Sequence, residues 1–126
     1  MEAVTLSRIE PPHALQQLAG LERLDPRGAM TPARLAEMVA GNFCFELKTP
    51  GGRVVYVLGV RDNHCQVLAA QGSGDADLTH TVLTVVEKQC ERLDSVSFQT
   101  ARPGLVRKAR KHGYQVAGWI LRKDLQ

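Results

Sequence analysis

The chain has 126 residues, 44% of them apolar, a net charge of +3 and three cysteines. That length suits one domain (residues 1–126) with a core large enough to stand without disulfides, and the composition excludes wholesale disorder. No apolar run approaches the roughly 20 residues of a membrane helix, and the N-terminus lacks the basic-then-apolar pattern of a secretory signal, so a cytoplasmic protein without membrane contact is expected.

Ala3 to Ile9 reads as a short strand with Val4, Leu6 and Ile9 facing inward. Pro11-Pro12 suits a helix start, and Leu15, Leu18, Ala19 and Glu22 continue at helical spacing to about Leu24. Asp25-Pro26-Arg27-Gly28 is a turn. Thr31 followed by Pro32 predicts a capped second helix, with Leu35, Met38 and Val39 as its buried stripe and Gly41 as its end. Three strands follow. Asn42 to Lys48 alternates, which predicts one covered face. Arg53 to Val60 and Cys65 to Ala70 are apolar on both faces, which predicts central strands. Thr49-Pro50-Gly51-Gly52 and Arg61-Asp62-Asn63-His64 are the tight connections between them.

The period then changes. Leu78, Val82, Val85, Val86, Cys90 and Leu93 recur at three- and four-residue steps, so a helix over 78–93 packs on the sheet, with Asp77 as its N-cap. Ser95 to Thr100 is a strand and Pro103 to His112 a basic helix closed by Gly113. Tyr114 to Lys123, carrying Trp119, Ile120 and Leu121, is a last strand. The fold class is α/β with a mixed sheet, in the order β-α-α-β-β-β-α-β-α-β.

Cys44, Cys65 and Cys90 form no CxxC pair and read as small buried hydrophobes. Charge is uneven along the chain. Residues 1–95 carry nine basic residues against twelve acidic ones, and residues 96–126 carry seven against Asp124 alone. The basic block suits a solvated helix face. It also suits an acidic protein partner or, through Arg107, Lys108, Arg110 and Lys111, nucleic-acid phosphates. No aromatics interleave with these four, so base-specific readout is not indicated.

Gln71-Gly72-Ser73-Gly74 reads as a glycine-bearing loop opening the helix over 78–93. A helix start offers free amides and a partial positive charge to an anion. Asp75 and Asp77 oppose that use. Arg102, beside Thr100, suits a phosphate or carboxylate ligand, or a pairing with Asp75 or Asp77. His80 is expected to bond Asp77 locally. Glu46 reads as an exposed strand glutamate, or as a general base if the protein is an enzyme. His64-Cys65 lacks a third ligand at metal spacing, so no metal site is expected.

The order of elements resembles the GNAT superfamily of N-acetyltransferases, and Val96 to Tyr114 (VSFQTARPGLVRKARKHGY) reads like the second half of that family. The run from Phe98 to Leu125 is also similar to short GNAT-like proteins of tailed bacteriophages. The resemblance implies a binding site for acetyl-CoA or another acyl-CoA, with the pyrophosphate on amides at the start of the central helix. The family signature there is Arg or Gln, two residues, Gly, one residue, then Gly or Ala. Gln71-Gly72-Ser73-Gly74-Asp75-Ala76 matches it, so Gln71, Gly72, Ser73, Gly74 and Ala76 are the implied cofactor contacts, with Thr100 and Arg102 bordering the cleft.

Two departures stand against activity. The aspartates sit in and beside the signature. The position of the family's acid tyrosine, four residues before the pair Gly113-Tyr114, holds Ala109. The resulting expectation is a degenerate, non-catalytic GNAT-fold protein. It would serve as a binding or assembly module through a protein partner or self-association, in a phage particle, its morphogenesis or the host cytoplasm. The alternative is an acyl-CoA-dependent N-acyltransferase with Glu46 or a water as base.

Overall fold

The whole layering follows from one strand. Val54 to Leu58 are buried at odd and even positions alike, so the sheet is covered on both faces. The computed structural model describes residues 4–19, 31–74 and 76–125. Its elements run β1 (Thr5–Arg8), α1 (Pro11–Leu18), α2 (Pro32–Ala40), β2 (Phe43–Thr49), β3 (Gly52–Arg61), β4 (His64–Gly74), α3 (Thr79–Gln89), β5 (Ser95–Phe98) and α4 (Pro103–Lys111). The five strands lie in the order β1-β2-β3-β4-β5. The first three pairings are antiparallel and β4–β5 is parallel, as a strand-helix-strand crossover requires.

On one face, Leu18 of α1 and Leu35 and Val39 of α2 close over Cys44, Val55 and Val57. On the other, Leu78, Val82 and Val86 close over Leu47, Val54, Tyr56, Leu58 and Cys65. Thr31 caps α2 as its sequence predicts, its hydroxyl accepting from the Arg34 amide at 3.2 Å. Asp62 and Asn63 both take positive φ, 51° and 60°, the two-residue turn that matches strand twist. The cysteines are free and buried, and burial pushes the Cys65 thiol up to about 12, which makes it a poor nucleophile.

Several expectations change. The first helix stops at Leu18, because Ala19 turns to extended backbone. Its expected continuation to Leu24 and the turn at 25–28 lie outside the described residues. The first strand has no covered face; Val4 and Leu6 are exposed, as befits an edge strand. The second strand is covered on both faces rather than one, since Cys44 and Glu46 are buried as well as Leu47. The stretch 71–74 is strand, not loop, paired with 52–55 of β3. The last strand, expected over Tyr114–Lys123, does not form: residues 114–125 belong to no helix or strand.

Two details of β4 position the site. Val57 pairs with Ala69 but Leu58 pairs with Val67, so Leu68 is an extra, bulged residue that bends the strand. β4 then meets β5 only over His64–Val67 and Ser95–Phe98. Beyond Val67 the two strands part among the described residues, and Ala70 to Gly74 are exposed.

Candidate functional site

The parting of β4 and β5 leads to the start of α3, where the sequence places an anion site. One glycine and three amides matter there. Gly74 ends β4 with φ +108°, and an added Cβ would lie 2.6 Å from the Gly51 carbonyl oxygen and 2.7 Å from Gly52 Cα. Its glycine is required by the crossing of the β2–β3 hairpin, without reference to any phosphate. The Ala76 amide donates to the Gly51 carbonyl at 3.2 Å. The Thr79 amide, first of the helix, donates to Asp77 Oδ1 at 3.1 Å. Val82 donates to Leu78 within the helical pattern. The Ala76 and Thr79 donors are therefore used inside the chain, and a carboxylate already occupies the positive end of the helix. Asp75 lies outside the described residues.

Asp77 is itself held. Lys108 Nζ of α4 approaches its Oδ2 at 2.7 Å. The Lys108 hydrogen bond, and after it the Thr79 amide and hydroxyl, hold the Asp77 carboxyl down to about 2. The expected carboxylate–cation pairing across the gap thus exists, but with Lys108 in place of Arg102. Because the folded value lies below the ordinary one, this contribution is full above about pH 4 and is lost as pH falls towards 2. Both groups are more than half exposed, so Asp77→Asn is expected to cost under about 1 kcal/mol near neutrality. Urea melts at several pH values should show that difference shrinking to nothing towards pH 2.

The implied cofactor residues do not converge. Gln71, Gly72 and Ser73 line a cavity of about 110 Å³ with Gln17, Arg53 and Val55, on the α1 side of the sheet. The start of α3 opens instead on a cavity of about 220 Å³ lined by Asp77, Thr79, His80, Lys108, Lys111 and His112. Both are smaller than the ~300–1,000 Å³ usual for ligand pockets. The Thr100 hydroxyl accepts from the Arg102 amide at 3.0 Å, so it orders the entry to α4. Arg102 is exposed there. The basic block is divided: Lys108 is committed to Asp77 and Lys111 lines the cavity, while Arg107 and Arg110 are exposed.

A four-residue network, unseen in the sequence, joins α3 to the end of α4. His80 Nδ1 lies 2.7 Å from His112 Nδ1. His112 Nε2 lies 3.0 Å from Glu87 Oε2, and the Tyr114 hydroxyl donates to the same oxygen at 3.1 Å. His80 therefore bonds His112 and not Asp77. Burial, and secondarily Glu87, raises the Tyr114 hydroxyl above the ordinary tyrosine value, so it is a weak proton donor. Ala109, at the family's acid position, is buried in α4. The signal available in the sequence is the seven-residue spacing of His80 and Glu87, which puts both on one helix face.

Glu46 is not exposed. It is 7% accessible, with Lys48 at 3.3 Å and His13 and Arg53 at 3.7 Å. Its Oε2 is buried without a hydrogen-bond partner among the described residues. Arg53 in turn donates to Gln17 at 2.7 Å. The carboxylate is thus surrounded by side chains of its own chain, Lys48, Arg53 and His13. His64 lies between Ser95 and Ser97, with Nε2 2.6 Å from the Ser97 hydroxyl. No carboxylate among the described residues completes a triad there, and the contact clasps β4 to β5. No group of His, Cys, Asp and Glu suited to a metal ion occurs among the described residues. Nor is any described helix long and apolar enough to cross a membrane.

Solved structures place this architecture. A ribosomal-protein-alanine N-acetyltransferase from Brucella melitensis biovar Abortus 2308 superposes with a TM-score of 0.56 at 13% identity, covering 97% of this chain and 98% of that one. A Trypanosoma brucei acetyltransferase gives 0.50 at 12%, covering 98% and 100%. AAC(6')-Iy, in complex with the bisubstrate analogue CoA-S-monomethyl-acetylneamine, gives 0.58 at 10%, covering 98% and 99%. No protein-family model and no curated protein sequence matches this chain. At such identities the likeness concerns the fold, and the fold is that of the GNAT acetyltransferases.

Proposed function

We propose that this GNAT-fold chain is degenerate as an acyltransferase and acts as a non-catalytic binding or assembly module. The observation that carries the reading is the Asp77 carboxylate, seated on the Thr79 amide and tied to Lys108. A pyrophosphate would have to displace it or sit beside it. Like charges about 4 Å apart repel by about 1 kcal/mol in water and about 4 kcal/mol at an effective dielectric near 20. The Ala76 amide, spent on Gly51, and Ala109 in place of an acid support the same reading. The similarity of the run from Phe98 to Leu125 to phage GNAT-like proteins makes a virion, or its morphogenesis, the proposed setting.

The second reading is an acyl-CoA-dependent N-acyltransferase. It is favoured by the parting of β4 and β5 next to a cavity bearing Lys108, Lys111 and His80, and by the CoA-derived ligand of AAC(6')-Iy. Calorimetry with acetyl-CoA separates the two. No binding heat is expected at about 1 mM, the upper end of usual substrate affinities, and Asp77→Ala is expected to gain weak binding. Micromolar affinity in the unaltered protein would overturn the first reading.

A further inference from the structure

Five cations stand between Arg102 and Lys111, and only Lys108 meets a carboxylate among the described residues. Elsewhere Lys48, Arg53 and Lys88 are paired within the chain. Arg102, Arg107, Arg110 and Lys111 are exposed, and no acidic residue occurs in the sequence from Val96 to Lys123. Buried Ala109 and half-buried Leu105 and Val106 mark the inner side of α4. At 3.6 residues per turn, Arg107, Arg110 and Lys111 fall within about 100° of arc turned away from Ala109. We propose that this face of α4 binds the phosphodiester backbone of a nucleic acid, without regard to base sequence.

The spacing fits that ligand. Arg107 and Lys111 are one turn apart, about 6 Å along the helix axis, and three successive phosphates of one duplex strand span about 7 Å. Two of the three charges are guanidinium forks, which can hold phosphate oxygens two at a time. Arg102, at the start of the helix, extends the positive charge towards its other end. An acidic protein is the competing partner. Protein interfaces centre on buried apolar or aromatic anchors, whereas the arc from Arg110 through Arg107 to Lys111 carries no apolar residue but Pro103. Interfaces with nucleic acid are instead polar and strongly positive. The helix's own dipole favours cations in the last turn, which holds Lys108, Arg110 and Lys111. It does not account for Arg102 and Arg107, which precede that turn. The inference goes beyond the proposed function and holds whether or not acyl-CoA binds at α3.

The test is fluorescence anisotropy of an end-labelled, mixed-sequence DNA duplex titrated with the full chain at about 50 to 200 mM KCl. Three phosphate contacts predict a slope of log affinity against log salt near −2.7, which is a loss of about 40-fold over that range. A duplex of unrelated sequence should give the same slope. Arg107→Gln with Arg110→Gln should bring the slope to about −0.9, a loss of only about 4-fold. Both side chains are exposed, so the circular dichroism of this variant should match that of the unaltered protein. Arg107→Lys with Arg110→Lys keeps both charges and should keep the slope. Lys88→Gln, which removes an exposed cation of α3, should leave the slope unchanged. Absence of binding at about 50 mM salt would overturn the proposal, as would a slope that the paired glutamine changes do not move. Polyglutamate that displaces the labelled duplex as well as unlabelled duplex does, charge for charge, would overturn it in favour of an acidic protein.

Discussion

Gly74→Ala is expected to destabilise the protein by about 3 kcal/mol with no ligand present. At φ +108° an L-residue is strained by about 1–3 kcal/mol. The new Cβ would also press on Gly51 oxygen at 2.6 Å and Gly52 Cα at 2.7 Å, backbone atoms that cannot rotate away, and overpacking costs a further 1–3 kcal/mol or so. Gly72→Ala serves as the comparison. Its Cβ meets only ordinary contacts, the nearest being Val54 Cγ2 at 3.6 Å, so a change under about 1 kcal/mol is expected. Urea unfolding of both variants checks the pair. Two glycines in one signature motif then part company on stability alone, which a cofactor role for Gly74 does not predict. Equal stabilities would contradict the hairpin-crossing account.

Tyr56→Ala is expected to cost about 3–5 kcal/mol, the range for removing a large buried aromatic. Tyr56 is fully buried at the centre of β3, stacks on Phe45 with centroids 5.6 Å apart, and donates its hydroxyl to Gln89 Oε1 of α3 at 2.6 Å. Tyr56→Phe keeps the ring and loses the bond, so about 1 kcal/mol is expected. Thermal or urea melts of the two variants apportion the site between packing and hydrogen bonding. A loss for Tyr56→Phe as large as for Tyr56→Ala would show that the link to α3, and not the ring, holds this core.

The central hairpins were legible because both signals agree. Val54 to Leu58 is an unbroken apolar run, and Asp62-Asn63 is a turn pair that tolerates positive φ. The misreading of 71–74 came from glycine, which marks a loop when nothing else is known. Counting back from the Asp62-Asn63 turn sets Gly52 within a residue of Gly74, so strand pairing through the glycines was latent in the sequence. The bulge at Leu68 then shifts the count by one. The cation that meets Asp77 was not legible. Lys108 and Arg102 are six residues apart, and only the placement of α4 chooses between them. Glu46 looked exposed from its polar neighbours, but Cys44 on the same strand face pointed to a cover, which α1 supplies. The tail reads as a strand from Tyr114 to Lys123, but a strand needs a partner edge, and residues 114–125 pair with none among the described residues.

Whether the start of α3 is still an anion site can be read at the amides themselves. In a titration of isotope-labelled protein with acetyl-CoA, followed by amide resonances, the Ala76 and Thr79 signals are expected to hold their positions to about 1 mM, the upper end of usual substrate affinities. Their protons remain on Gly51 and Asp77. Saturable shifts of both amides at micromolar acetyl-CoA, with release of Lys108 from Asp77, would contradict the account.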